Sequence, residues 1–259
     1  MERNLKDNFI HELRERGAAD RQYGGKDIFA VGCVVMASGA SRRFGGSRNK
    51  LLEEICGRAM FLRTADALFA AGLDPLIVAR SEAVCAAAGG YNCLIHTAPE
   101  KSATIRHGLA HLIKAHDDAG ISMAGCLFIP GDQPLVNTVS IRHMLAAFTA
   151  DRRAVIRLGT GGRGRSPVIF PAAMFPELLN LTGEQGGSTL LAPAPLADGK
   201  RSCRTEGQED APPVFCSRII VVEAEDASEL MDVDTPEDLE KIREICSRLL
   251  VVQHPVVDK

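Results

Sequence analysis

Residues 36–50 read MASGASRRFGGSRNK, and they follow the apolar run Phe29-Ala30-Val31-Gly32-Cys33-Val34-Val35-Met36. A buried β-strand that empties into a turn of small residues accounts for this order. Gly39, Gly45 and Gly46 lack a Cβ, so the backbone can approach a ligand and aim N–H groups at an anion. Ser38, Ser41 and Ser47 add small donors. Arg42, Arg43, Arg48 and Lys50 add the fixed charge that suits a polyphosphate. Two phosphate loops are excluded by spacing. The string Gly-x-x-x-x-Gly-Lys-Ser/Thr is absent, and Gly39 and Gly45 are too far apart for a Gly-x-Gly-x-x-Gly dinucleotide loop.

Working outward, short apolar runs alternate with helical periodicity. This predicts βα units around a mostly parallel sheet, a single three-layer α/β domain. Strands are expected at 30–36, 75–79, 92–96, 126–129, 154–157, 167–170 and 218–222. Helices are expected near 58–71, 81–88, 102–116, 138–149, 172–181 and 235–250. Residues 1–27 read as an N-terminal extension, 28–250 as the domain and 251–259 as a tail. Residues 193–217, rich in Pro, Gly, Ser and charge, read as a mobile loop.

At 259 residues the chain is long enough for one such domain. A net charge of −3 argues against a general nucleic-acid binder, so the basic stretch is local and suits a small anion. No apolar run approaches a membrane span, and residues 1–27 lack a secretory stretch. The expectation is a cytoplasmic protein with no membrane or nucleic-acid partner. The eight cysteines include no Cys-x-x-Cys pair. Cys33, Cys93 and Cys126 read as small buried hydrophobes of a reducing compartment. His107 and His111 have i, i+4 spacing but no adjacent third ligand, which favours a surface helix face over a metal site.

Further along, Cys126-Leu127-Phe128-Ile129-Pro130-Gly131-Asp132-Gln133-Pro134 is a buried strand ending in a turn with one carboxylate. In an open parallel sheet, ligands bind beyond the carboxyl ends of strands, where Lys50 and Asp132 both belong. Asp132 has the oxygen chemistry to hold Mg²⁺ against a substrate phosphate. A turn-forming Asp before Pro is the ordinary alternative.

These motifs resemble the nucleotidyltransferases of the glycosyltransferase-A-like fold, whose signature runs Leu-Ala-Ala/Gly-Gly-x-Ser-x-Arg-Phe/Met-Gly…Lys. Within that group the chain looks most like the molybdenum cofactor cytidylyltransferases, over about residues 30–192 and 218–248. The resemblance implies a nucleotide-diphospho-sugar transferase (Rossmann-like) architecture. It extends to Met231-Asp232-Val233-Asp234-Thr235-Pro236-Glu237-Asp238, similar to the family's C-terminal metal string. There Asp232 is the implied second ligand, and Asp234 is expected to hold the helix N-terminus. It includes Ser102-Ala103-Thr104-Ile105-Arg106-His107-Gly108-Leu109, where Ser102 and Arg106 are implied in nucleotide binding, although Glu100-Lys101 stand where the family has Gly-Met. It ends on Ser166-Pro167-Val168-Ile169-Phe170 and on Gly183 to Ser188. Ser166, Pro167 and Gly187 are the implied acceptor contacts there, with Ser166, Glu184 and Ser188 standing where His, Asp and Arg are usual.

The resemblance implies Mg²⁺-dependent transfer of CMP from CTP to the phosphate of a molybdopterin-type cofactor, with a molybdenum hydroxylase receiving the product. Backbone groups of Ala37, Ser38 and Gly39 would meet the base. Arg43 and Lys50 would hold the phosphates beside the Asp132–Asp232 metal. Guanylyl transfer to the same cofactor, cytidylyl transfer to a sugar or methylerythritol phosphate, and a nucleotide-binding cofactor chaperone are the alternatives.

Overall fold

The computed structural model describes residues 29–39, 44, 49–191 and 218–253. The strands are β1 (Phe29–Ala37), β2 (Glu54–Ile55), β3 (Arg58–Ala59), β4 (Pro75–Ala79), β5 (Asn92–Ile95), β6 (Ser122–Pro130), β7 (Val155–Thr160), β8 (Arg163–Pro171) and β9 (Ile219–Glu223). The α-helices are α1 (Met60–Ala70), α2 (Glu82–Ala86), α3 (Lys101–Ala119), α4 (Thr138–Ala150), α5 (Phe175–Leu179) and α6 (Pro236–Gln253).

Seven strands form one sheet in the order β5-β4-β1-β6-β8-β7-β9. Only β8 runs against its neighbours, β6 and β7, and every other pairing is parallel. Side chains alternate across the sheet as a period of two requires. Cys33, Val35, Ile77, Leu127 and Ile129 face a core shared with α1, α4 and α6. Val34, Leu76, Val78, Cys126 and Phe128 face a second core under α3 and α5. The result is the expected three-layer α/β domain with a mostly parallel sheet. From β1 the chain moves outward to β4 and β5, then returns to place β6 on the other side of β1. That reversal opens a crevice at the ends of β1 and β6, where Met36 and Pro130 lie in register.

All seven expected core strands and all six expected helical segments are present, with shifted ends. Residues 172–181 divide into a 3-10 turn (Ala172–Met174) and the short α5. The hairpin β2–β3 has no counterpart in the sequence reading. Its two-residue turn, Cys56-Gly57, holds both residues at positive φ (51° and 76°), and a cysteine in the place where Asn or Asp is usual disguises it. Cys93 is not an isolated hydrophobe. It forms a disulfide with Cys85, the two Cα atoms lying 5.4 Å apart, because the turn after α2 returns directly into β5. Cys33 and Cys126 are free and fully buried as expected. The expected extension, mobile loop and most of the tail lie outside the described residues.

One buried acid positions the turn that leads to the C-terminal motif. Glu229 is 2% exposed. It accepts hydrogen bonds from Asn137 N (2.9 Å), Ser140 Oγ (2.9 Å) and Asp226 N (3.0 Å). The start of α4 and the 226–230 turn are thereby fastened together. Glu229→Ala strands these donors, and each unsatisfied buried donor costs about 1–3 kcal/mol. Urea unfolding of this variant is expected to show a stability loss in or above that range.

Candidate active site

Three segments far apart in sequence meet at one ammonium. Lys50 opens a 3-10 turn, capped by the Asn49 side chain, that ends the basic loop. Its side chain is 8% exposed and its Nζ lies 2.7 Å from Asp132 Oδ2. It also donates to Val233 O at 2.5 Å and lies 3.4 Å from Asp234 Oδ1. The two acidic turns are joined directly, since Val233 N donates to Asp132 O (3.0 Å). Helix α1 braces the first turn, with Thr64 Oγ1 donating to Gln133 O (3.1 Å) and Arg63 Nε to Pro134 O (3.3 Å).

Asp232 completes the acidic group. Its carboxyl is pushed above the usual range, first by burial between the cavity walls and then by the charge of Asp132, while a hydrogen bond from Gln133 opposes the shift. Its residue surface is still exposed, because the side chain opens into the cavity. Asp234 does not hold the helix N-terminus. Asp238 does that work, accepting from Asp234 N, Thr235 N and Thr235 Oγ1, while Thr235 Oγ1 accepts from Asp238 N in return. Asp234 is therefore left to face Lys50 and the cavity.

These groups form one end of a cavity of about 600 Å³. On the β1 and β4 side the wall includes Ser38, Gly39, Arg80 and Thr104. Behind it sits His96, 5% exposed, with its Nε2 2.9 Å from Ser38 Oγ and 3.2 Å from Thr104 Oγ1. Ser38 Oγ donates to Val78 O (3.1 Å), so the fitting tautomer carries its proton on Nε2. Burial, then the His107 and Arg80 charges, push the His96 pKa down and keep the ring neutral. His107 stacks on it, with ring centroids 5.2 Å apart.

The opposite wall comes from β7, β8 and the 184–188 loop: Arg157, Ser166, Val168, Phe170, Glu184, Gly187 and Ser188. Ser166 and Pro167 are unpaired in the ladder, because Arg157 pairs with Val168 and the next residue, Leu158, with Arg165. The Ser166–Pro167 bond is cis. A proline tolerates such a position, having no N–H to pair. A Cβ on Gly187 would lie 2.7 Å from the Phe170 ring, so the loop can cross that ring only as glycine.

A family model, the MobA-like NTP transferase domain, matches residues 33–201. The chain belongs to that family. It is accordingly a nucleotidyltransferase. The purine catabolism protein PucB of Bacillus subtilis is 25% identical over 224 residues, covering 83% of this chain and 96% of the relative. Among solved structures, a nucleotidyl transferase from Methanothermobacter thermautotrophicus matches with a TM-score of 0.63 at 20% identity, over 85% of this chain and 98% of its own. The Rv0371c protein of Mycobacterium tuberculosis matches with a TM-score of 0.61 at 22% identity, over 84% and 99%. Its manganese complex matches with a TM-score of 0.58. These structural likenesses bear on the fold.

Within this MobA-like domain, Ser38, Gly39, Lys50, Asp132, Ser166, Gly187 and Asp232 all border the cavity. Ala37 is buried at the end of β1 and is not part of the cavity wall. Ser102 is fully buried and outside the cavity wall, where its N–H donates to Gly183 O (3.1 Å), and Thr104, whose Oγ1 meets His96 Nε2, borders the cavity instead. Arg106 pairs with Glu100 (3.0 Å) and, like Pro167, is not part of the cavity wall. Arg43 lies outside the described residues. His96, Arg80 and Arg157 were not foreseen. A charged residue closing the apolar run 154–157 was the available signal for Arg157. Among the described residues no group of three or more His, Cys, Asp or Glu encloses a metal ion on its own.

Lys50→Met is expected to destabilise the fold by about 1–3 kcal/mol, since it strands carboxylates that remain partly open to the cavity. Adding Asp132→Asn is expected to return part of that loss. A double-mutant cycle by chemical denaturation checks the coupling.

Proposed function

We propose that the chain transfers CMP from CTP, with a divalent cation, to the terminal phosphate of a molybdopterin-type cofactor, and releases pyrophosphate. The observation that carries this reading is the convergence of Lys50, Asp132, Asp232 and Asp234 at one end of a cavity whose other end is a separate wall. Two carboxylates with no enclosing cage among the described residues suit a hard cation that keeps water and phosphate oxygens as its remaining ligands. Asp132 and Asp232 would hold it, and Mg²⁺ is the ion proposed. The manganese complex of Rv0371c supports a divalent cation here. When bound, the ion neutralises phosphate charge and polarises the phosphorus–oxygen bonds.

The remaining work falls to the chain's own groups. Lys50, on turning from Asp132 and Val233 O, would grip the β- and γ-phosphates and take charge from the departing pyrophosphate. Arg43 is proposed to act with it. Ser38, Gly39 and Thr104 line the end that would receive the base. An acceptor phosphate is already ionised near neutral pH, so no general base is needed. Its oxygen forms a bond to the α-phosphorus, the α–β bridging bond breaks, and the bonding electrons leave on pyrophosphate. Alignment and charge neutralisation supply the rate. A molybdenum hydroxylase is proposed as the recipient of the product.

CTP is proposed over GTP because the Gly131-Asp132-Gln133-Pro134 turn and Ala37-Ser38-Gly39 resemble the cytidylyl-transferring members. Discrimination by hydrogen bonds to a base edge amounts to about tenfold to hundredfold. Titrating both nucleotides with Mg²⁺, without acceptor, is expected to show CTP binding tighter by that factor. Tighter GTP binding would overturn the choice of base and leave nucleotidyl transfer standing. Asp132→Asn is expected to lower pyrophosphate release by at least ~100-fold, because a neutral amide is a far weaker ligand for a hard cation. The far-ultraviolet circular dichroism of the variant should match the parent.

A further inference from the structure

Arg157 lines the cavity, and the proposed chemistry gives it no role. It sits in β7 between Ile156 and Leu158, both fully buried. Its Nε is buried and has no hydrogen-bond partner among the described residues. Burial pushes its pKa down. An N–H taken from water without an acceptor is costly, and folding alone gives no reason to keep one there. The same residue borders the cavity beside Ser166, Val168 and Phe170.

The backbone around it is built to leave it free. The strand register breaks between Arg157 and Leu158, and such irregularities re-aim side chains next to sites. On the neighbouring strand Gly164 pairs with Gly159, and a Cβ there would fall 2.8 Å from Arg157 Cβ and 3.0 Å from its Cδ. Any other residue at 164 would press on the arginine stem. Position separates Arg157 from the phosphate-gripping end. Strand β7 lies two places from β6, which is about 10 Å at the usual strand spacing. Lys50 and Asp132 meet beyond the end of β6.

We propose that Arg157 binds an anionic group of the acceptor, whose body lies on the apolar floor of Val168 and Phe170. This rests on the cavity being a nucleotidyl-transfer site with its acceptor on the β7–β8 side. A guanidinium with a buried, free Nε–H matches a phosphate or carboxylate in forked geometry, which an ammonium cannot copy. Arg157 acts by positioning the acceptor and takes no part in bond making.

The test uses the full chain with Arg157→Met, Arg157→Lys and Gly164→Ala. The first probe is phenyl phosphate, a small aryl dianion, followed by ligand-detected NMR. Mg²⁺ and the α,β-methylene analogue of CTP are present to fill the Lys50 subsite, and a Lys50→Ala chain without nucleotide serves as a second way of blocking it. Arg157→Met is expected to weaken phenyl phosphate about 10- to 100-fold, and Arg157→Lys to restore it only in part. Nucleotide affinity should stay within twofold. The unfolding midpoint of Arg157→Met should be no lower than that of the parent, because a buried N–H without an acceptor has been removed. In turnover with the molybdopterin-type acceptor, Arg157→Met should raise the acceptor KM more than it lowers kcat. Gly164→Ala should shift acceptor KM in the same direction. Unchanged phenyl phosphate binding, or a lowered midpoint with unchanged acceptor KM, overturns the proposal. Failure of the unaltered chain to transfer CMP would overturn the proposed function instead, and the phenyl phosphate comparison would still decide the role of Arg157.

Discussion

A buried ammonium between two acidic turns is the constraint around which this molecule is arranged. Lys50 loses nearly all its water on folding, and that loss is tolerable only because Asp132, Val233 O and Asp234 replace it. The converse also holds, since Asp132 and Asp232 lie close enough to raise the pKa of Asp232. Each side of the cluster makes the other affordable. Satisfying it forces the end of the basic loop, the turn after β6 and the turn before α6 into one place. The functional end of the cavity is thus a by-product of electrostatic closure. The same oxygen-rich setting is what a polyphosphate with its cation would use.

The sheet divides the remaining labour. Its parallel half, β5-β4-β1-β6, contains the switch point between β1 and β6 and carries Ser38, His96 and the acidic turn. Its other half is interrupted by the antiparallel β8, whose unpaired Ser166–Pro167 step and neighbouring loop make the opposite wall. Helix α3 joins the halves. Its first residues border the cavity, and Ser102 N holds Gly183 O at the root of the 184–188 loop. On the proposed function, a change in acceptor would fall on β7–β8 with little strain on the end that holds Lys50 and the acids. Ser166, Glu184 and Ser188, where the chain departs from the resembled pattern, all fall on that opposite wall.

Much of this was legible because buried strands write themselves as apolar runs. Val31 to Met36, Leu76 to Ala79 and Cys126 to Ile129 have no other reading at that length, and the turn residues after them carry the chemistry. What stayed hidden depended on contacts between distant residues or on unusual turn chemistry. Cys56 occupies a positive-φ turn position normally advertised by Asn or Asp. Cys85 and Cys93 meet only because α2 is a short helix that returns at once. Asp234 and Asp238 are four residues apart, and sequence alone could not say which would cap the helix and which would face Lys50. Ser102 and Thr104 are two residues apart on a helix, so they cannot share a face. The motif named the first, whereas it is the second that borders the cavity.

The central claim is that Asp132 and Asp232 hold the cation while Lys50 turns to the phosphates. Crystals grown with Mn²⁺ and the α,β-methylene analogue of CTP, measured at the manganese absorption edge, test this directly. The account predicts one anomalous peak within coordination distance of both carboxylates, with Lys50 Nζ on a phosphate oxygen. A nucleotide bound with Lys50 still seated on Asp132 and Val233 O, and with no peak between the two acids, would contradict it.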